Sequence, residues 1–164
     1  RYICEQRPPV EEICRKLKEI RRRPVYPDWA MVLAFAGISF AFTLFFGGNL
    51  RDALVALFAG AVIRVVIGEM ERLHTNGFFV NLINSLLVTL IALLAVRYHL
   101  AEHSNFIIIG TLMTLVPGVA ITNSMRDVIA GDLMAGMVRG LEALLVALAL
   151  ALGTGVALVV MGGF

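Results

Sequence analysis

The chain has 164 residues, 59% hydrophobic and only 16% charged, with a mean hydropathy of +0.86. Soluble domains carry about 25% charged residues, so a water-soluble globule is excluded and an all-α integral membrane protein is expected. A net charge of +2, unevenly placed, also excludes a nucleic-acid binder.

The basic charge sits at the start. Residues 1–26 carry eight Lys/Arg against four Asp/Glu, whereas residues 27–164 carry six against eight. This pattern predicts a basic cytoplasmic arm, residues 1–26, attached to a five-helix transmembrane domain, residues 27–164. Residues 8–23 of the arm are expected to form a short amphipathic helix. Pro8 and Pro9 suit its first turn, Pro24 stops it, and Val10, Ile13, Leu17 and Ile20 make an apolar stripe. Its basic cluster, Arg15 to Arg23, should lie in the cytoplasm against anionic headgroups, or pack as a linker on a preceding domain. The chain begins without Met or a signal-peptide pattern, so the arm is expected to end a longer N-terminal region. Cys4 and Cys14 both lie in the arm with no nearby His, which makes no metal site, and a cytosolic arm keeps them reduced.

Five spans follow. Residues 29–50 form 22 positions without a charge, anchored by Tyr26 and Trp29 at the interface and ended by Gly47, Gly48 and Asn49. Residues 53–68 make a shorter, weaker span, interrupted by Arg64, which is expected to snorkel to the cytoplasmic surface. Residues 75–96 are again uncharged, but Asn76, Asn81, Asn84 and Ser85 stud the first half. Asn81 and Asn84 share a helix face, which points to interhelical hydrogen bonds ahead of a polar substrate path. Residues 104–125 are the fourth span, broken at Pro117, and residues 143–164 the fifth, with a lead-in from Asp132. With the arm inside, Arg64, Arg72, Arg126 and Arg139 fall inside and Arg51 and Arg97 outside, as the positive-inside bias requires.

The stretch that organises the chain is residues 115–142, LVPGVAITNSMRDVIAGDLMAGMVRGLE. Pro117 followed by Gly118 removes a backbone donor and loosens the turn, so the arriving helix breaks. Asn123, Arg126, Asp127, Asp132, Arg139 and Glu142 then crowd into a lipid-adapted chain. Ionised groups and free backbone persist at membrane depth only inside protein or along a wet cavity, which makes the block a transport-site candidate. A plainer reading is a helix–turn–helix at the cytoplasmic surface, with Gly131 ending one helix and Asp132 capping the next. Both can hold together. Arg126 with Asp127, and Arg139 with Glu142, could be neutral structural pairs; equally, an arginine could hold a substrate carboxylate while a carboxylate binds an ammonium or a proton.

Two other patterns need weighing. HLAEH at residues 99–103 spells H-x-x-E-H, but that zinc chemistry needs both histidines on one helical face and a third ligand. A short loop between spans supplies neither, and interfacial residues beside Tyr98 are the expected role. Gly136 and Gly140 give a small-xxx-small face suited to close helix packing. No nucleotide loop, nucleophile elbow or cofactor motif occurs, so neither an enzyme nor a cofactor is expected.

The run from residue 115 to residue 153 resembles the signature of the threonine/serine exporter (ThrE) family, and within it the YjjP-type half. A PG pair, TN-x-x-RD, GD and G-x-x-R-x-x-E-A follow in that order. Upstream, the arm ends in YP (Tyr26, Pro27) and the first span closes with FGG (Phe46, Gly47, Gly48). The resemblance implies proton-motive-force-driven export of threonine and serine, or, in split members, of small dicarboxylates such as succinate alongside a partner half. The positions it singles out are Pro117, Gly118, Thr122, Asn123, Arg126, Asp127, Gly131, Asp132, Gly136, Arg139 and Glu142. It also implies a multi-pass protein of the bacterial inner membrane, paired with a complementary five-helix half or with itself. Two five-span halves in one chain would be inverted relative to each other.

The expectation is therefore one half of a proton-linked exporter of a small carboxylate-bearing solute. Two rivals stand beside it. One is a non-transporting scaffold subunit that assembles through Gly136 and Gly140, the other a membrane zinc peptidase built on His99 and His103.

Overall fold

A computed structural model describes residues 27–73 and 75–162; the amphipathic helix expected at residues 8–23 lies outside them. The chain divides into two units, residues 1–30 and residues 31–164. Among the described residues six helices run in order: α1 (Asp28–Phe45), α2 (Leu50–Arg72), α3 (Gly77–Arg97), α4 (Ser104–Leu112), α5 (Gly118–Ile129) and α6 (Leu133–Gly162). The described residues contain no strand.

Four of the helices, α1, α2, α3 and α6, are long and apolar enough to cross a membrane. The protein is a multi-pass membrane protein. Two expectations change. The second span is not short: α2 runs 23 residues, because Asp52 and Arg72 sit in its end turns and Arg64 is half-buried beside Gly68. Residues 104–125, expected as one broken span, form two short helices, α4 of nine residues and α5 of twelve. Nine residues rise only about 14 Å, roughly half a hydrocarbon core.

Close packing rests on small residues, as expected where lipid removes the hydrophobic drive between helices. Ala56 of α2, Ala92 and Ala95 of α3, and Ile107 and Ile108 of α4 form a buried cluster with Ala101. Gly110 of α4 lies against Thr43 of α1, where a Cβ would stand 2.6 Å from the Thr43 nitrogen. Gly60 of α2 meets Ser39 and the Phe35 carbonyl of α1, and Gly153 of α6 meets Ser85 and the Leu82 carbonyl of α3. A side chain at any of these would hold the helices apart.

The asparagines of α3 behave differently from expectation. Asn81 donates to the Gly77 carbonyl at 2.8 Å and Asn84 to the Val80 carbonyl at 2.7 Å, each within its own helix. A short amide can back-bond four residues earlier without any neighbour, and that local bond replaces the interhelical one. Ser85 does reach across, its hydroxyl lying 3.0 Å from the Leu82 carbonyl and 3.5 Å from that of Ala149 in α6.

Three helices end the same way. After α1, the Gly47 nitrogen donates to the Leu44 carbonyl and the Gly48 nitrogen to the Thr43 carbonyl. After α5, Gly131 donates to Val128 and Asp132 to Asp127; after α3, His99 donates to Val96 and Leu100 to Ala95. Each is a 5→2 and 6→1 pair closing on a left-handed residue. Gly47 (φ 100°) and Gly131 (φ 92°) take that conformation freely, but His99 (φ 59°) does so with a Cβ, at a cost of about 1–2 kcal/mol.

Candidate functional site

The helix break is wider than the Pro-Gly pair. The α-helical ladder stops at Leu112, and Thr114 and Leu115 donate to Thr111 and Leu112 in a tightened last turn. Proline disfavours helical backbone at the residue before it and has no N–H to give, so the chain leaves the helix well ahead of Pro117. Pro117 then stands at the N-cap of α5, and Gly118 is the first helical residue.

From there α5 and the first part of α6 form a hairpin. Gly131 closes α5, and Asp132 caps α6: its Oδ1 accepts from the Ala135 nitrogen at 3.2 Å and its carbonyl from the Gly136 nitrogen at 3.0 Å. Ser124 is the buried residue of α5, its hydroxyl donating to the Gly136 carbonyl at 2.7 Å. Gly136 lies under Ser124 and Val128, and Gly140 under Ser124. The small-xxx-small face is thus used within the chain, to seat α5 on α6.

That seating turns Thr122, Asn123 and Arg126 outward and leaves them exposed, with Asp127 half-buried at the edge of the contact. Arg139 of α6 reaches back to Asp127, Nη1 to Oδ2 at 2.8 Å. Neither pairing suggested by sequence spacing forms: adjacent residues on a helix diverge, and the Arg139 guanidinium reaches across the hairpin to Asp127. Asn123, Arg126 and Glu142 take no side-chain partner among the described residues. The hairpin therefore offers one uncommitted cation, Arg126, one uncommitted carboxylate, Glu142, and the exposed amide of Asn123. Asp132 is occupied in part by its cap.

A second polar cluster was missed by sequence reasoning, because its members are some fifty residues apart. Asp52, on the first turn of α2, is fully buried. Its Oδ1 accepts from the backbone nitrogens of Glu102 at 2.8 Å and His103 at 3.1 Å, and its Oδ2 from the Asn49 nitrogen at 3.1 Å. The His103 ring faces the same Oδ2, Nδ1 at 3.2 Å, and packs on Phe106. Around the rim, Asn49 Nδ2 donates to Glu102 Oε2 at 2.6 Å and Arg51 lies 3.6 Å from Glu102 Oε1. One carboxylate thus caps α2 and grips the loop that leads into α4. The one clue in the sequence was a charged residue three positions after an Asn-containing turn, the spacing of a capping interaction.

The same loop accounts for the HLAEH string. His99 closes α3 in a left-handed turn and His103 is the N-cap of α4, so the two histidines belong to different helix ends and not to one helical face. No group of three or more metal-ligating side chains occurs among the described residues.

Comparison with known proteins adds one match. The model of the ThrE family, described as "Putative threonine/serine exporter", matches residues 1–161. Searches of the curated proteins and of the solved structures return no match. With a multi-pass body, six helices among the described residues, and a family match that spans nearly its whole length, the chain belongs to the threonine/serine exporter (ThrE) family.

Proposed function

We propose that this chain is a transporting half that exports small amino acids of the threonine and serine type, driven by the proton gradient, with the α5–α6 hairpin as its substrate site. The observation that carries this reading is the Asp127–Arg139 pair. It neutralises one charge of each sign and leaves Arg126 and Glu142 for a ligand. An amino acid needs one cation for its carboxylate and one anion for its ammonium; a dicarboxylate needs two cations. With Arg139 committed, the hairpin suits a zwitterion better than succinate. Asn123 would orient the substrate, and Asp132 or Glu142 would carry a coupling proton.

In this reading α4, the break and α5 together make the fourth of five crossings, the N-terminus is cytoplasmic, and the protein sits in the bacterial inner membrane. Its working partner is a complementary five-helix half or a second copy. The seating of α5 on Gly136 and Gly140 within the chain favours this reading over a scaffold that assembles through those glycines.

Efflux from cells preloaded with labelled threonine, serine or succinate tests the proposal. The chain is expressed alone and with a candidate partner half, with and without an uncoupler. Uncoupler-sensitive efflux of threonine or serine is the expected result. Efflux of succinate alone would reassign the substrate, and no efflux despite verified insertion would return the scaffold reading.

A further inference from the structure

We propose that the Asp52 cluster is a gate of the transport cycle, holding the α3–α4 loop against the start of α2 and releasing it when this end of the bundle opens. The proposal rests on the transport reading above.

Three observations lead there. First, the loop is fastened through polar groups gathered on one buried carboxylate, with Asn49 and Glu102 bridged at the rim. Such bonds are exchanged for water when the loop lifts, whereas a large apolar contact would resist each cycle. The loop's own buried residue is a small one, Ala101, 4% exposed and in one apolar cluster with Ala56 and Ala95. Second, the loop is held in a conformation it does not prefer, with His99 in the left-handed region. That turn is closed on the Val96 and Ala95 carbonyls of α3, so it serves as the hinge about which the rest of the loop swings when Asp52 lets go. Third, the bundle interior holds polar atoms with no partner among the described residues: Ser39 Oγ, Asn84 Oδ1 and Thr111 Oγ1, all in fully buried residues. Such atoms are costly in lipid-facing protein unless a hydrated path reaches them in part of the cycle.

The test uses the full chain, with its partner half if efflux requires one, in a background of C4S and C14S. N49C and E102C are bridged with a short bifunctional thiosulfonate. Efflux should be lost on bridging and return with dithiothreitol; efflux at the unbridged rate through a bridged protein would overturn the gate. In parallel, A101C is labelled with a membrane-impermeant maleimide. Labelling should run roughly ten-fold faster in D52N than with Asp52 in place, and should accelerate in the Asp52 form when threonine, serine or succinate is added. Where D52N does not fold, the rim variant N49A/E102A takes its place. Equal labelling in both backgrounds, or a loop that never responds to any solute, would overturn the gate. Labelling needs no flux, so a responsive A101C without efflux counts against the transport reading alone, and unimpeded efflux through a bridged loop counts against the gate alone.

Discussion

Arg139 of α6 donates to Asp127 of α5 across the turn that joins the two helices, Nη1 to Oδ2 at 2.8 Å. The arginine is more than half exposed, so the pair adds no more than about 1 kcal/mol to stability. Its value lies in position. Asp127 adjoins Arg126 in the chain, and in the proposed site the pair would help set how α5 presents Asn123 and Arg126. D127A and R139A should each lower efflux several-fold with little change in thermal stability. The charge swap D127R/R139D should recover most of that loss, since it restores the pair. Failure of the swap to recover efflux would mean that one of the two touches substrate.

Arg126 should behave in the opposite way. Removing one charge-assisted contact to a substrate carboxylate costs about 2 kcal/mol, or about 30-fold in apparent affinity. R126A is expected to abolish efflux at ordinary solute levels while inserting normally, and no second-site swap at Asp127 should restore it. R126K should recover only part, because a point charge does not reproduce the bidentate fork. Concentration-dependent efflux from reconstituted vesicles reads this directly.

Asp52 bears on stability through the backbone bonds it accepts. D52A strands three backbone N–H groups of which Asp52 is the acceptor, and should cost about 3 kcal/mol or more. H103A removes only the ring contact and leaves those three bonds in place, so its cost should be near 1 kcal/mol. Unfolding in detergent, followed by circular dichroism, would separate the two; equal losses would show that the backbone bonds carry little.

His99 occupies a left-handed position that glycine fills without strain at Gly47 and Gly131. H99G should therefore stabilise the protein by about 1 kcal/mol, a rise of a few degrees in unfolding temperature. A fall in stability would show that the His99 side chain makes up for the backbone cost.

The sequence by itself determined the class of the protein and several of the places where its helices break or turn, though not the full length of α2 or α6. Those features follow from local chemistry: uncharged runs in a chain with few charges, glycines at left-handed caps, and a proline that cannot continue a helix. The hairpin around Gly131 and Asp132 was legible for the same reason, since a cap needs only neighbouring residues. What the tertiary structure decided is which charges meet. Arg139 pairs with Asp127 and not Glu142 because Ser124 seats α5 on Gly136, a contact between two helices. Asp52 meets Glu102 and His103 only because the α1–α2 turn and the α3–α4 loop come to one end of the bundle. Periodicity reports one helix at a time, so contacts across some fifty residues of chain leave no trace in it.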